Sequence, residues 1–296
     1  MPTLEVAVVE NDSPDDSYET LSAAIAARGW SEWVHLEKSP HNGGFGFGVN
    51  VAVRRGLAAP SPPDGFLLLN PDTYVRDGAV GALAEALRTD PAVGIVGSRL
   101  EDPDGTVQHS RFRFPSLCNA LDDGLRLGIL HRLLGDRVTC PPHTETAHDI
   151  DWLAGASMLI RREVFELVGL FDEGFFLYYE ELDFTRRAHA LGVRTRYVPS
   201  SRVVHLVGQS TGVTSRNKRP GRTPGYWFES RKRYFKKHHS ALYKLLADAA
   251  FVLGRSIHHV LRVLRRRPNL EPPRYLWDFV RNNWLPGGRA RSSWPR

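Results

Sequence analysis

Trp152–Gly212 reads WLAGASMLIRREVFELVGLFDEGFFLYYEELDFTRRAHALGVRTRYVPSSRVVHLVGQSTG, and its punctuation dictates an alternation of elements. Arg161–Val168 has helical spacing and is closed by Gly169. Glu180–Leu191 repeats the pattern and is closed by Gly192. Arg194–Val198 and Val203–Leu206 are short β-branched runs that read as strands. Between the helices lies an aromatic run, Phe175–Tyr179, which suits either a core or an apolar wall.

The same alternation extends toward the N-terminus. Val6–Val9 is a strand ending in the polar loop Glu10-Asn11-Asp12-Ser13-Pro14. Tyr18–Arg28 is a helix stopped by Gly29, and Val34–Leu36 is a second strand. A glycine-rich loop, Asn42–Gly48, precedes a helix over Val49–Leu57. Phe66–Leu69 is a buried strand that runs into Asn70-Pro71-Asp72. Asp77 is placed to cap the next helix, whose apolar face is Val80, Leu83, Ala84 and Leu87. Val93–Val96 is a further strand, and Asp102-Pro103-Asp104-Gly105 reads as a hairpin turn. Strands alternating with helices predict an α/β fold, a mostly parallel sheet covered on both faces. Residues 111–150 carry weaker signals, with a helix expected within Leu121–Leu134.

Charge divides the chain. Residues 231–296 hold 16 Lys and Arg against 3 Asp and Glu, while the residues before them hold 23 against 30. An acidic body of 1–225 is therefore expected to carry a basic, helical extension over 226–296. Basic tails suit anionic lipid or nucleic acid. The tail has no zinc spacing and no nucleic-acid motif, so nucleic acid is not the expected partner. Leu242–Leu264 has the pattern of an interfacial amphipathic helix or of a helix packing on the body, and both readings stand. Cys118 and Cys140 make neither a disulfide framework nor a metal spacing, which points to a reducing, cytoplasmic compartment. The opening MPTLEVAVVENDS lacks the basic and apolar regions of a secretion signal.

Taken singly, each candidate motif is modest. Gly44, Gly46 and Gly48 do not form a dinucleotide fingerprint, and no Gly-Lys-Ser/Thr follows. Such a loop allows close backbone approach, to a ligand or to a neighbouring strand. Asp72 lies at the carboxyl end of an apolar strand, the edge where open α/β sheets bind ligands. A carboxylate there could hold Mg²⁺ or Mn²⁺, but Asn, Pro and Asp are also ordinary turn residues. Glu180, Glu181 and Asp183 occupy a helix's first turn, where the dipole alone favours them. Glu180 and Asp183 share a face, and Glu181 points elsewhere. A lone His205 is more often structural than ligating. No G-x-S-x-G elbow is present to support a hydrolase.

In order and spacing, these pieces resemble the family-2 inverting glycosyltransferases of GT-A fold. The closest likeness is to bacterial rhamnosyltransferases acting on polyprenyl-diphosphate-linked sugars. The resemblance runs from Val6 to Gly212 through Glu10-Asn11-Asp12-Ser13, Asn42–Asn50, Asn70-Pro71-Asp72, Gly155-Ala156, Phe171-Asp172-Glu173, Glu180–Asp183, and His205 with Ser210-Thr211-Gly212. Glu10 and Glu181 stand where that family usually has Asp. The family's first strand and helix have no counterpart before Val6, so a start codon assigned too late is expected.

The resemblance implies a Rossmann-like nucleotide-sugar fold with Glu10, Asn11, Asn42, Gly44, Asn50, Asn70 and Asp72 toward the donor. It implies Asp72 and His205 as ligands of Mg²⁺ or Mn²⁺, and Glu181 as the general base. Gly155, Ala156, Glu180 and Asp183 would line the acceptor side. The implied activity is inverting transfer of a sugar, rhamnose first, from a dTDP- or UDP-sugar to a lipid-linked or polysaccharide acceptor in cell-envelope glycan synthesis. The enzyme would work peripherally at the inner face of the cell membrane. The rivals are the same fold with a galactofuranosyl, mannosyl or N-acetylglucosaminyl donor, and a degenerate, non-catalytic scaffold.

Overall fold

The computed structural model describes residues 4–207 and 221–285. Strand β1 (Val6–Glu10), helix α1 (Ser17–Ala27) and strand β2 (Val34–Lys38) form a strand–helix–strand unit, with β1 and β2 paired in parallel. Helix α2 (Phe45–Leu57) begins inside the glycine run, earlier than the expected Val49. Strands β3 (Gly65–Leu69) and β4 (Thr73–Val75) flank the Asn70-Pro71-Asp72 turn. Helix α3 (Ala79–Thr89) is not capped by Asp77: Gly78, at φ 77°, holds the N-cap position with no side-chain bond.

Strand β5 (Val93–Glu101) is nine residues long, well beyond the expected Val93–Val96. It is buried almost throughout, so it shows no alternation that could mark its end. The hairpin turn at Asp102 forms, with Gly105 N donating to Asp102 O at 2.9 Å. After β6 (Arg111–Phe112), the expected Leu121–Leu134 helix is two helices, α4 (Leu117–Leu125) and α5 (Gly128–Leu134). Arg126 breaks it by adopting a left-handed φ of 50°. Then come β7 (His148–Asp149), β8 (Trp152–Leu153), β9 (Ser157–Arg161), α6 (Arg162–Val168), α7 (Glu180–Ala190) and β10 (Arg194–His205). The two strands expected after α7 are one strand, whose pairing to β5 shifts register between Val198 and Arg202.

The main sheet has the order β3-β9-β5-β10-β4, with β7 also paired to β10. β5 and β10 are parallel. β9 lies antiparallel between β3 and β5, so β3, β5 and β10 all run the same way. One face packs Ile95, Met158, Ile160 and Tyr197 against Phe165 and Phe184 of α6 and α7. The other packs Val96 and Val198 against Leu83 and Leu87 of α3. This is the helix–sheet–helix layering that alternating strands and helices predict.

Helices α8 (Gly225–His238), α9 (Ala241–Leu264) and α10 (Tyr275–Trp284) are built into the body. Phe228, Tyr234, Phe251 and Phe279 share one core with Phe175 and Leu182. At the crossing of α4 and α9 the backbones touch: a Cβ on Gly254 would lie 2.9 Å from Leu121 O. The charge asymmetry is partly resolved by pairing. Asp172 binds Arg233 and Lys237 at 2.7 Å each, which holds its carboxyl well below the usual range against the opposing effect of burial.

Candidate active site

Asp72 and His205 meet because β4 and β10 pair antiparallel with Thr73 opposite His205. Asp72 Oδ1 lies 3.4 Å from His205 Nε2, and both side chains are largely buried. Leu206 N donates to Asp72 O at 2.9 Å, which locks the turn to the end of the strand. Burial lowers the imidazole pKa, while Asp72 pulls it partly back up. The net direction favours a neutral ring, the form that ligates metals. On the same turn, Asn70 Oδ1 is buried without a partner.

This donor set fits a hard divalent cation that is completed by substrate oxygens. Such ions are commonly held by one or two protein groups together with phosphates. Among the described residues no group of three or more His, Cys, Asp and Glu converges to hold a metal by itself.

The second carboxylate centre is the start of α7. Tyr178 and Tyr179 both take left-handed φ values, 68° and 71°, in a chain segment with no glycine to relieve them. Non-glycine residues pay for that conformation, and such outliers concentrate at functional sites. The turn aims Glu180 and Glu181 inward at the N-terminus of the helix. Burial raises the pKa of both. Glu181 raises Glu180 further, whereas the amides of Glu181 itself and Gly155 draw Glu181 partway back. Each keeps one oxygen, Oε2, buried and unpartnered. A buried polar atom without a partner is costly, so one oriented toward a site is a candidate for substrate contact.

Gly155 and Ala156 join the two centres. A Cβ on Gly155 would lie 3.8 Å from Glu181 Cβ and 3.3 Å from the Phe45 ring. The next residue, Ala156, accepts the Asn70 amide at 3.1 Å. Two consecutive residues therefore touch the Glu181 side and the Asp72 turn.

The donor-side residues divide. Asn11 Nδ2 donates to Gly44 O at 2.9 Å, and Gly44 N donates to Asn42 Oδ1 at 3.1 Å, so these three form one cluster. Asn11 Oδ1 is left buried and free of protein partners. Glu10 is turned into its own loop, with Oε1 accepting from Ser13 N at 2.6 Å. Asn50 does not face a donor. It is fully buried, donates to Phe171 O and Glu173 Oε1, and accepts from Phe171 N. Its amide latches α2 to the loop before α7 with both donors spent, and its burial keeps it from a ligand.

Gly44 is required twice over, by its φ of 88° and by the Phe176 carbonyl, which a Cβ would approach to 1.9 Å. Gly44→Ala is expected to destabilise the fold by about 1–3 kcal/mol and loosen the loop, read as a lowered denaturation midpoint. An unchanged midpoint would show that the loop yields freely.

Asp183 also departs from expectation. Its side chain is fully buried and binds Arg187 at 2.9 Å, Lys237 at 2.8 Å and His238 at 2.8 Å. Hydrogen bonds from His238, Lys237 and Arg187 hold its pKa down against burial, and those from α8 fasten that helix to α7 instead of leaving Asp183 open to an acceptor. Glu180 shares that helix face but packs toward Gly46, whose added Cβ would meet Glu180 Cβ at 3.6 Å. Ser210, Thr211 and Gly212 lie outside the described residues.

Gln108 carries a role that the linear reading missed. Its Nε2 donates to His205 O and to Asp102 Oδ1, both at 2.7 Å, which steadies the strand end bearing His205. The only signal available was its place just after the Asp102 hairpin.

No family model matches the chain. It is 30% identical over 230 residues to the N-acetylglucosaminyl-diphospho-decaprenol L-rhamnosyltransferase of Mycobacterium tuberculosis, covering 73% of this chain and 67% of that one. It is 28% identical over 179 residues to the rhamnosyltransferase WbbL of Escherichia coli, covering 55% of this chain and 60% of that one. In structure it is similar to the Pyrobaculum calidifontis mannosyltransferase PcManGT, solved with GDP-Man and Mn²⁺, at a TM-score of 0.53 and 14% identity. That match covers 89% of this chain and 66% of the other. GalNAc-T7, solved with UDP, GalNAc and Mn²⁺, gives a TM-score of 0.51 at 14% identity, and the match covers 90% of this chain. The chain spans about half, 52%, of the GalNAc-T7 length.

Proposed function

The chain belongs to the family-2 glycosyltransferases of GT-A fold, and from that membership we propose that it moves a sugar, rhamnose first, from a nucleoside-diphosphate donor to a lipid-linked acceptor. The observation that carries the reading is the contact of Gly155 and Ala156 with both the Glu181 side and the Asp72 turn. Acid–base chemistry and diphosphate binding need such neighbouring centres.

Glu181 is the general base. Its carboxylate takes the proton from an acceptor hydroxyl, that oxygen attacks the anomeric carbon, and the bond to the nucleoside diphosphate breaks with inversion. A raised pKa suits this work, because a stronger base removes the proton more readily once it is ionised. Gly155 lets the Phe45 ring and the Glu181 side chain close up on the same backbone. Asp72 and His205 would hold Mg²⁺ or Mn²⁺, with Asn70 as a nearby oxygen donor. A bound cation there would neutralise charge on the departing diphosphate. Asn11, through its free Oδ1, would face the donor, with the Gly44 backbone holding its amide in place. A lipid-linked acceptor would bring the enzyme to the inner membrane face.

The test is thermal denaturation with Mn²⁺ and a panel of dTDP-, UDP- and GDP-sugars. A ligand at a hundredfold excess over its Kd adds about 2.7 kcal/mol, which is several degrees for a chain of this size. A Mn²⁺-dependent rise with one nucleotide names the donor class. A folded sample that responds to none of them would reject the transferase reading in favour of a non-catalytic scaffold.

A further inference from the structure

Helix α9 has its polarity reversed. Three of its charged side chains, Lys244, Asp248 and Arg255, point into the protein, and Arg262 near its end is half-exposed. Asp248 is fully buried and bound by Arg231 and Lys244, and the nearly buried Arg255 binds Glu271 at 2.9 Å. Its solvent face is apolar. Leu242, Leu246, Leu253, Ile257, Val260 and Leu264 recur at intervals of three, four or seven residues, and so form a single stripe. All six are exposed, from 38% at Ile257 to 72% at Leu264. The one acidic residue of the helix is the buried Asp248. A monomer rarely shows water so long an uninterrupted apolar row, about 33 Å from Leu242 to Leu264 at 1.5 Å per residue.

Two features indicate what covers it. The stripe ends in Arg265, Arg266 and Arg267, all exposed. Helix α10 adds exposed Trp277 and Trp284, seven residues apart and so on one side of that helix. An apolar stripe that runs into three arginines, in a helical region that also exposes two indole rings, has the chemistry of a bilayer interface with anionic headgroups. Among the described residues no helix is long and apolar enough to cross a membrane.

We propose that the outer face of α9 lies in the surface of an anionic phospholipid bilayer, with its leucines and valine in the acyl boundary and Arg265–Arg267 on the headgroups. The proposal deepens the reading of a lipid-linked acceptor, and rests on it only for the purpose of the docking. The charged inner side of α9 grips the body through Arg231 and Glu271, so the helix is rigidly mounted and does not fold on contact.

The experiment uses the full chain and flotation with phosphatidylcholine vesicles containing phosphatidylglycerol, without donor or acceptor. The wild type is expected to float with anionic vesicles and much less with pure phosphatidylcholine. Leu253→Glu with Val260→Glu is expected to weaken binding by roughly a hundredfold, from the lost burial of two large apolar side chains. Arg265→Glu with Arg266→Glu is expected to remove the preference for anionic lipid. Both variants should keep the wild-type melting curve, and both should keep transfer to a water-soluble acceptor analogue.

Equal binding by Leu253→Glu/Val260→Glu and wild type overturns the proposal. So does a wild type that ignores vesicles. If sedimentation shows a wild-type dimer that this variant splits, the face is a subunit contact and the proposal also falls. Vesicle binding without any transfer would instead sink the catalytic reading and leave the docking surface standing.

Discussion

Glu181→Gln is expected to cut the transfer rate by about 10²–10⁴-fold while leaving donor binding intact. The amide keeps the size and most of the contacts of the side chain but cannot take a proton. Its effect on stability should have the opposite sign. Burial raises the Glu181 pKa above its ordinary 4.5, so the folded state prefers the protonated carboxyl. For such a group the contribution to stability is fully present below pH 4.5 and is lost as pH climbs through the folded pKa. Gln removes that loss. It also removes the charge that helps to raise Glu180. The variant should therefore melt higher than wild type at neutral pH, with a flatter dependence on pH above 4.5. In wild type the acid limb of the rate profile should lie above the ordinary glutamate range. Melting curves and initial rates across pH check both halves. A Gln variant that turns over at the wild-type rate would remove Glu181 from the mechanism.

Asp72→Ala is expected to abolish the Mn²⁺-dependent response to nucleotide and to lower turnover by at least about 10²–10³-fold. Little else should change. Asp72 meets a His205 whose ring is pushed toward the neutral form, so the pair counts as one ordinary hydrogen bond, about 0.5–1.5 kcal/mol. The loss should therefore appear in calorimetric Mn²⁺ and nucleotide titrations on a protein that still folds. With Asp72 gone, nothing pulls the His205 pKa back up, so the ring should titrate at lower pH, readable by NMR. Turnover that stays Mn²⁺-dependent in this variant would place the cation elsewhere.

Much of this site was legible because its signals are local. Asp72 follows an apolar run and sits at the strand end that alternation predicts. Glu180 and Glu181 open a helix bounded by Gly192. The motifs also keep the order in which the family carries them. Other assignments were not legible, because they depend on partners far away in the chain. Asn50 and Phe171 are separated by 121 residues, and only folding shows that the amide is consumed as a latch. Asp183 meets Lys237 and His238 more than fifty residues later, and these turn an expected acceptor contact into the fastening of α8. Gln108 reaches the His205 carbonyl across 97 residues. The two tyrosines at positive φ, which set the direction of the carboxylates, carry no glycine to announce them.

By itself the sequence determined the alternation of strands and helices, the acidic body with its basic tail, and the residue types that can bind a diphosphate and accept a proton. Periodicity and turn chemistry act within a few residues, so they survive being read along a line. The tertiary structure alone decided that β9 runs antiparallel between β3 and β5, and that Gly155 and Ala156 touch both centres. It also decided which face of α9 the body covers. Periodicity shows that a helix has two faces, and only the packing of the rest of the chain selects the one that stays exposed.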